Sequence, residues 1–113
     1  MGIVALRLFL VLGWIAIALV TAHAMAALGV GGFIETVLED VRHPWRLQLY
    51  VDFELHLLLF AGWIAWRERP LALGIACAAA TLTLGALFTL PYLLFATVRA
   101  EGDPRRLLLG ARA

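Results

Sequence analysis

Three stretches of the chain are apolar enough, and long enough, to cross a bilayer as helices. A hydrocarbon core of about 30 Å takes roughly 20 helical residues at about 1.5 Å each. The first stretch, about residues 8–28, reads LFLVLGWIAIALVTAHAMAAL and holds no formal charge. The second, about residues 47–66, is apolar except for Gln48, Asp52, Glu54 and His56 in its first half. The third, about residues 71–98, is longer than one crossing requires, an excess that tilt or projection past the headgroups absorbs. Between the first two, Gly29, Gly31 and Gly32 end a helix, and Phe33, Val37 and Leu38 recur opposite Glu35, Glu39 and Asp40. That pattern predicts a short amphipathic helix on the membrane surface over about residues 32–42. His43-Pro44 breaks it, and Pro70 is placed to open the third helix after a tight turn through Arg67, Glu68 and Arg69. Trp45, Arg46, Trp63, Trp66 and Arg67 are expected interface anchors, because amphipathic rings and snorkelling guanidinium groups favour the headgroup layer. The tail, residues 99–113, turns at Asp103-Pro104 and continues as an Arg-rich, Leu-containing stretch suited to anionic headgroups.

The expected fold is therefore all-α and integral to the membrane: one domain, residues 1–113, with three transmembrane helices. A competing reading of the first stretch exists. Arg7, the apolar run after it and Ala22-His23-Ala24 also fit a secretory signal with an A-x-A cleavage site. The stretch is taken as a retained span.

Composition agrees with a membrane protein, since 64% of the residues are hydrophobic, against roughly half in soluble domains. The cations are all Arg, with nine of them against eight acidic residues and a net charge of +1. That balance argues against a nucleic-acid partner. The Leu, Ala and Arg bias without Lys suggests a GC-rich bacterial genome, hence the inner membrane. With three crossings, Arg7, Arg67 and Arg69 fall on one side, and Arg42, Arg46, Arg99, Arg105, Arg106 and Arg112 on the other. The positive-inside tendency then favours a cytoplasmic C-terminus. The single cysteine, Cys77, has no intramolecular partner and reads as a small packing residue.

The polar groups inside the spans carry the most information, because each Asp or Arg at a helix centre costs about 2.5–3.5 kcal/mol on insertion scales. Gln48, Asp52, His56, Leu59, Trp63 and Trp66 share one stripe of the second span, whereas Arg46, Tyr50 and Glu54 follow an i, i+4, i+8 spacing on another. Counting depth along three straight spans brings His23, Asp52, Glu54, His56, Thr89 and Tyr92 to similar levels, with Gln48 a turn away. Pro91 also leaves the carbonyl of Leu87 without its helical amide. The bland reading is that these groups simply satisfy one another and shape the bundle. The functional readings are a proton or ion path, a metal site, or a haem or pigment held by His56 or His23. Asp52-x-x-x-His56 lacks the spacing that makes a metal motif specific, so no cofactor is expected. Gly74, Ala78, Thr81 and Gly85 form a stripe of small residues that lets another helix approach closely. No phosphate loop, catalytic triad or paired nucleophile is present, and an enzyme is not expected.

His43-Pro44-Trp45, Val51-Asp52, the run Leu58 to Glu68 (LLFAGWIAWRE), Leu84-Gly85 and Tyr92-Leu93-Leu94 occur in an order that resembles a family of small three-span membrane proteins of unknown function from bacteria and plants. The resemblance covers about residues 43–95. It departs where Ala86 stands in place of the family's Asn and where Pro91 precedes Tyr92. It implies the three-span topology and a role for Asp52, and supplies no activity. The expected function is that of an accessory or stabilising subunit of a membrane protein complex, or of a self-associating protein. The alternatives are a small ion- or proton-handling oligomer and a cofactor-binding membrane protein.

Overall fold

The computed structural model describes residues 2–112 and contains, among them, helices only. The long apolar runs become α1 (Gly2–Ala27) and α3 (Pro44–Arg67), of 26 and 24 residues. At about 1.5 Å per residue they measure roughly 39 and 36 Å. Both are long and apolar enough to cross a membrane. The surface segment becomes α2 (Gly29–Asp40), set off from α1 by Gly29 at φ 69°, a conformation that glycine adopts without a Cβ clash. Val30, Phe33, Ile34 and Leu38 are exposed along α2, which leaves its apolar face without cover from the rest of the chain. The end of α2 is tied to α3 through Asp40, whose carboxylate accepts from Arg46 and from the Tyr50 hydroxyl, each at 2.8 Å. The Tyr50 hydroxyl, and after it Arg46, hold this carboxyl below its usual range.

The third apolar run differs from the single span that its length suggests. It forms two helices of 14 residues, α4 (Leu71–Leu84) and α5 (Ala86–Arg99), separated by Gly85 at φ 58°, ψ −130°. Such angles belong to the glycine-dominated first corner of a reversing turn. A straight helix from Leu71 would carry Tyr92 roughly 31 Å away from the α3–α4 connection. Instead the Tyr92 hydroxyl meets both Arg67 and Glu68, so α5 folds back alongside α4. Residues 71–99 are a helical hairpin roughly 21 Å tall.

The hairpin sits between the two long helices. On one side α4 runs antiparallel to α3, and a Cβ placed on Gly74 would lie 2.7 Å from the Ala65 carbonyl oxygen. The backbones therefore touch, and any side chain at residue 74 would push them apart. On the other side α5 runs antiparallel to α1. Arg7 donates from Nε to the Thr97 hydroxyl and from its terminal nitrogen to the Thr97 carbonyl, both at 3.2 Å. The Trp14 indole donates to the Leu87 carbonyl at 3.1 Å. That carbonyl is the one Pro91 leaves without an amide.

Trp14→Phe is thus expected to cost about 1–3 kcal/mol by orphaning the carbonyl. Pro91→Ala restores an amide at that place and should recover part of the loss in the double variant. Unfolding curves of the two single variants and the double test this. Additive losses would show that the indole does not serve the Leu87 carbonyl.

The tail forms α6 (Pro104–Leu109), capped by the Asp103 side chain accepting from the Arg105 amide, and ends in a single 3-10 turn over Gly110–Arg112. It returns to the end of α3. Trp63 donates to the Leu108 carbonyl, Arg67 to that of Leu107, and Arg112 to that of Trp66. The tail thus lies beside the α3–α4 connection and the start of α1, opposite the end of the molecule that three straight spans would give it. The cause is the reversal at Gly85.

Candidate functional site

Two polar regions stand out, at different depths. The deeper-packed one is at the base of the hairpin. Arg67 and Glu68 are buried, at 4% and 8% exposure, and pair at 2.7 Å. Arg67 also donates to the Tyr92 hydroxyl at 2.6 Å and to the Leu107 carbonyl at 3.1 Å. Tyr92 in turn donates to the same Glu68 oxygen at 2.5 Å. The guanidinium carbon lies 5.4 Å from the Trp63 ring centre and 5.6 Å from that of Tyr92, within cation–π range. A buried charge pair is tolerable only when the remaining donors and acceptors are met. Here no buried side-chain polar atom among the described residues lacks a partner.

The arrangement explains three local features. Arg67, the last residue of α3, is followed by Glu68, which accepts no further helical turn and swings its carboxylate onto the guanidinium. Gly110, at φ 55°, lets the tail backbone close in, since a Cβ there would lie 2.7 Å from the Arg67 carbonyl oxygen and 2.9 Å from its guanidinium. Trp66, one residue earlier, faces the tail as well, with the Arg112 guanidinium 4.9 Å from its ring centre.

The second region is the first half of α3. Gln48, Asp52, Glu54 and His56 are all exposed. His56 Nδ1 lies 2.7 Å from the Asp52 carbonyl oxygen and 3.3 Å from its carboxylate, one turn apart on the same face. Glu54 points to the other face and has no ion-pair or hydrogen-bond partner among the described residues. Phe53 reaches the hairpin tip, its ring end 3.5 Å from a Cβ placed on Gly85. Above that level α1 and α3 run on without the hairpin between them.

The expected cluster of seven is therefore split. Tyr92 belongs to the base, with Arg67 and Glu68. Thr89 is buried inside the hairpin. His23, exposed, is far from the base: Gly13 packs against Leu90, which places His23 roughly 18 Å from Tyr92 along the helix axes. The reversal at Gly85 sends Tyr92 away from the level that a straight third span would give it. Of the expected anchors, Trp45 and Arg46 are exposed at the far end, whereas Trp63, Trp66 and Arg67 hold the tail. Of the small-residue stripe, Gly74 and Thr81 are buried, Ala78 is half-buried and Gly85 forms the turn.

Three participants were not foreseeable as such from spacing alone. Trp14 was an apolar residue of the first span, although the freed Leu87 carbonyl called for a donor. Arg7 and Thr97 lie 90 positions apart and share no motif. Among the described residues no three His, Cys, Asp or Glu side chains converge as metal ligands.

No protein family, curated protein or solved structure matches the chain.

Proposed function

We propose that the chain is an integral membrane protein of the bacterial inner membrane that acts as an accessory or stabilising subunit, docking on other membrane proteins through the first half of α3. In this reading α1 and α3 cross fully, and the α4–α5 hairpin enters the bilayer from the side that holds both termini without crossing it. The third crossing expected from run length gives way to a half-depth element. Arg7, Arg67, Arg69, Arg99, Arg105, Arg106 and Arg112 then share one side, against Arg42 and Arg46 on the other. The positive-inside tendency favours cytoplasmic termini on that distribution.

The observation that carries the reading is the exposure of Asp52, Glu54 and His56 well inside a helix of crossing length. Asp52 lies eight residues, about 12 Å, from the start of α3, and His56 about 18 Å. On insertion scales a charged group at such depth costs about 2.5–3.5 kcal/mol if it faces lipid. Two opposed polar faces cannot both be hidden by rotating one helix. A second protein surface beside α3 relieves that cost, and the space beyond the hairpin tip leaves room for it.

Photo-crosslinking residues placed at Gln48 and His56 in native membranes are expected to give discrete protein adducts, whereas one at Phe9, on the lower part of α1, gives lipid adducts. Lipid adducts alone at all three positions would refute the subunit reading.

The His56–Asp52 pair favours one further reading, a proton- or ion-handling oligomer in which that face lines a wet path. Asp52→Asn and Glu54→Gln should then reduce flux in proteoliposomes. Unchanged flux, or none in the parent, removes it. Haem or pigment ligation by His56 or His23 is the remaining alternative, decided by the absorption spectrum of the purified protein.

A further inference from the structure

The α4–α5 hairpin, with the end of α3 and the tail at its base, frames a half-open cleft of about 650 Å³. Its walls are apolar, from Leu73 and Cys77 on α4 and Leu87, Phe88 and Phe95 on α5, and its base carries Arg67, Glu68, Tyr92, Arg99 and Arg106. The Arg67 charge is answered by Glu68. Arg99 and Arg106 remain, exposed at the mouth; Arg99 stands over the Phe95 ring, and Arg106 has only a loose 3.8 Å approach to the exposed Glu101.

We propose that this cleft holds one acyl chain of an anionic phospholipid, whose phosphate sits between Arg99 and Arg106. The inference rests on the membrane reading above and adds to it a ligand and a place.

An acyl chain fits: one leaflet's hydrocarbon depth is about 15 Å, half the core, and the hairpin walls run about 21 Å. Polarity is graded in the same sense as a lipid, with carbon walls toward Gly85 and, at the end where headgroups lie, Arg99 and an Arg106 that Glu101 meets only at 3.8 Å. Basic pockets between membrane helices on the positive side are suited to anionic headgroups, and this end of the molecule carries seven of the nine Arg. Burial of each methylene contributes in proportion to its area, so the chain supplies the affinity and the two Arg the headgroup preference.

Native mass spectrometry of the detergent-solubilised protein tests this, with phosphatidylglycerol and phosphatidylcholine of identical chains offered together. The parent is expected to retain one phosphatidylglycerol with about tenfold preference. The preference should vanish in Arg99→Gln/Arg106→Gln and persist in Arg105→Gln, which lies on the same tail outside the cleft. Leu73→Trp, which fills the cleft from α4, should lower retention of both lipids. Equal retention by the parent, or a preference that survives loss of both Arg, would overturn the proposal and leave the membrane reading standing. Displacement of the lipid by inorganic phosphate alone would also overturn it. Extraction of the chain from vesicles at alkaline pH would sink both.

Discussion

Cysteines introduced at Gly2, Arg69 and Ala111, in a Cys77→Ala background, are expected to react with a membrane-impermeant label from one side of the membrane, and a cysteine at Arg42 from the other. That outcome requires an even number of crossings, and it depends on one residue. Gly85 turns the chain at φ 58°, ψ −130°, where an L side chain carries a conformational penalty of about 1–3 kcal/mol. The cost there is torsional and not steric, since an added Cβ would meet only the Phe53 ring end at 3.5 Å. Gly85→Ala should thus weaken the reversal without obstructing the packing. The alternative open to the variant is a continuous helix over residues 71–99, long enough to cross. Its drawback is that Arg99, Arg105, Arg106 and Arg112 must then be translocated, against the positive-inside tendency. The two penalties oppose each other, so the variant is expected to label at Ala111→Cys from both sides. Labelling of Ala111→Cys in the otherwise unaltered chain from the Arg42 side would mean that residues 71–99 form one straight span, and the hairpin would be wrong.

The same glycine marks the limit of what the residues disclose on their own. Helices α1 and α3 were legible because a run that is apolar over most of a crossing length has few alternatives to a helix. Proline at residues 44, 70 and 104 set helix starts, and Gly29 set a break. Gly85 lies within LTLGALF, where the neighbours on both sides are as apolar as a single span requires. One glycine in such a run fits a packing stripe as well as a turn, and only tertiary contact separates the two. The surplus length of the run, 28 residues where about 20 suffice, was the available hint, and tilt explained it equally well. From that choice the rest followed. A straight third span sets Tyr92 beside His23 and Asp52, whereas the reversed one sets it beside Arg67 and Glu68. Arg67 itself read as an interface anchor because Trp-x-x-Trp-Arg is what an interface contains; its burial depends on a tail 40 residues away. The exposed polar faces of α3 needed no such context, since residues 48, 52 and 56 share a helix face whatever surrounds it.

Arg67→Ala is expected to destabilise the fold by about 3–5 kcal/mol, the usual cost of removing one partner from a buried ion pair. Three losses coincide. Glu68, at 8% exposure, keeps its charge with only the Tyr92 hydroxyl to answer it. The Leu107 carbonyl loses its donor. The tail loses the surface on which Gly110 packs. Charge and shape can be separated by companion variants. Arg67→Lys retains the charge but has a single ammonium where the fork now reaches Glu68, Tyr92 and the tail together, so it should restore the pair and leave the tail loose. Arg67→Leu/Glu68→Leu removes both charges, and because burial of a pair contributes little net stability, it should fold better than Arg67→Ala while still freeing the tail. Unfolding in lipid-detergent micelles measures the first quantity, and trypsin cleavage after Arg105 and Arg106 the second. The expected order of stability is parent, then the double variant, then Arg67→Ala, with fast tail cleavage in both. If Arg67→Ala unfolds with the parent and its tail stays protected, the buried cluster does not hold the hairpin base. The mouth of the cleft, built from Arg99 on the hairpin and Arg106 on the tail, would then have to be held by Trp63 and Arg112 instead.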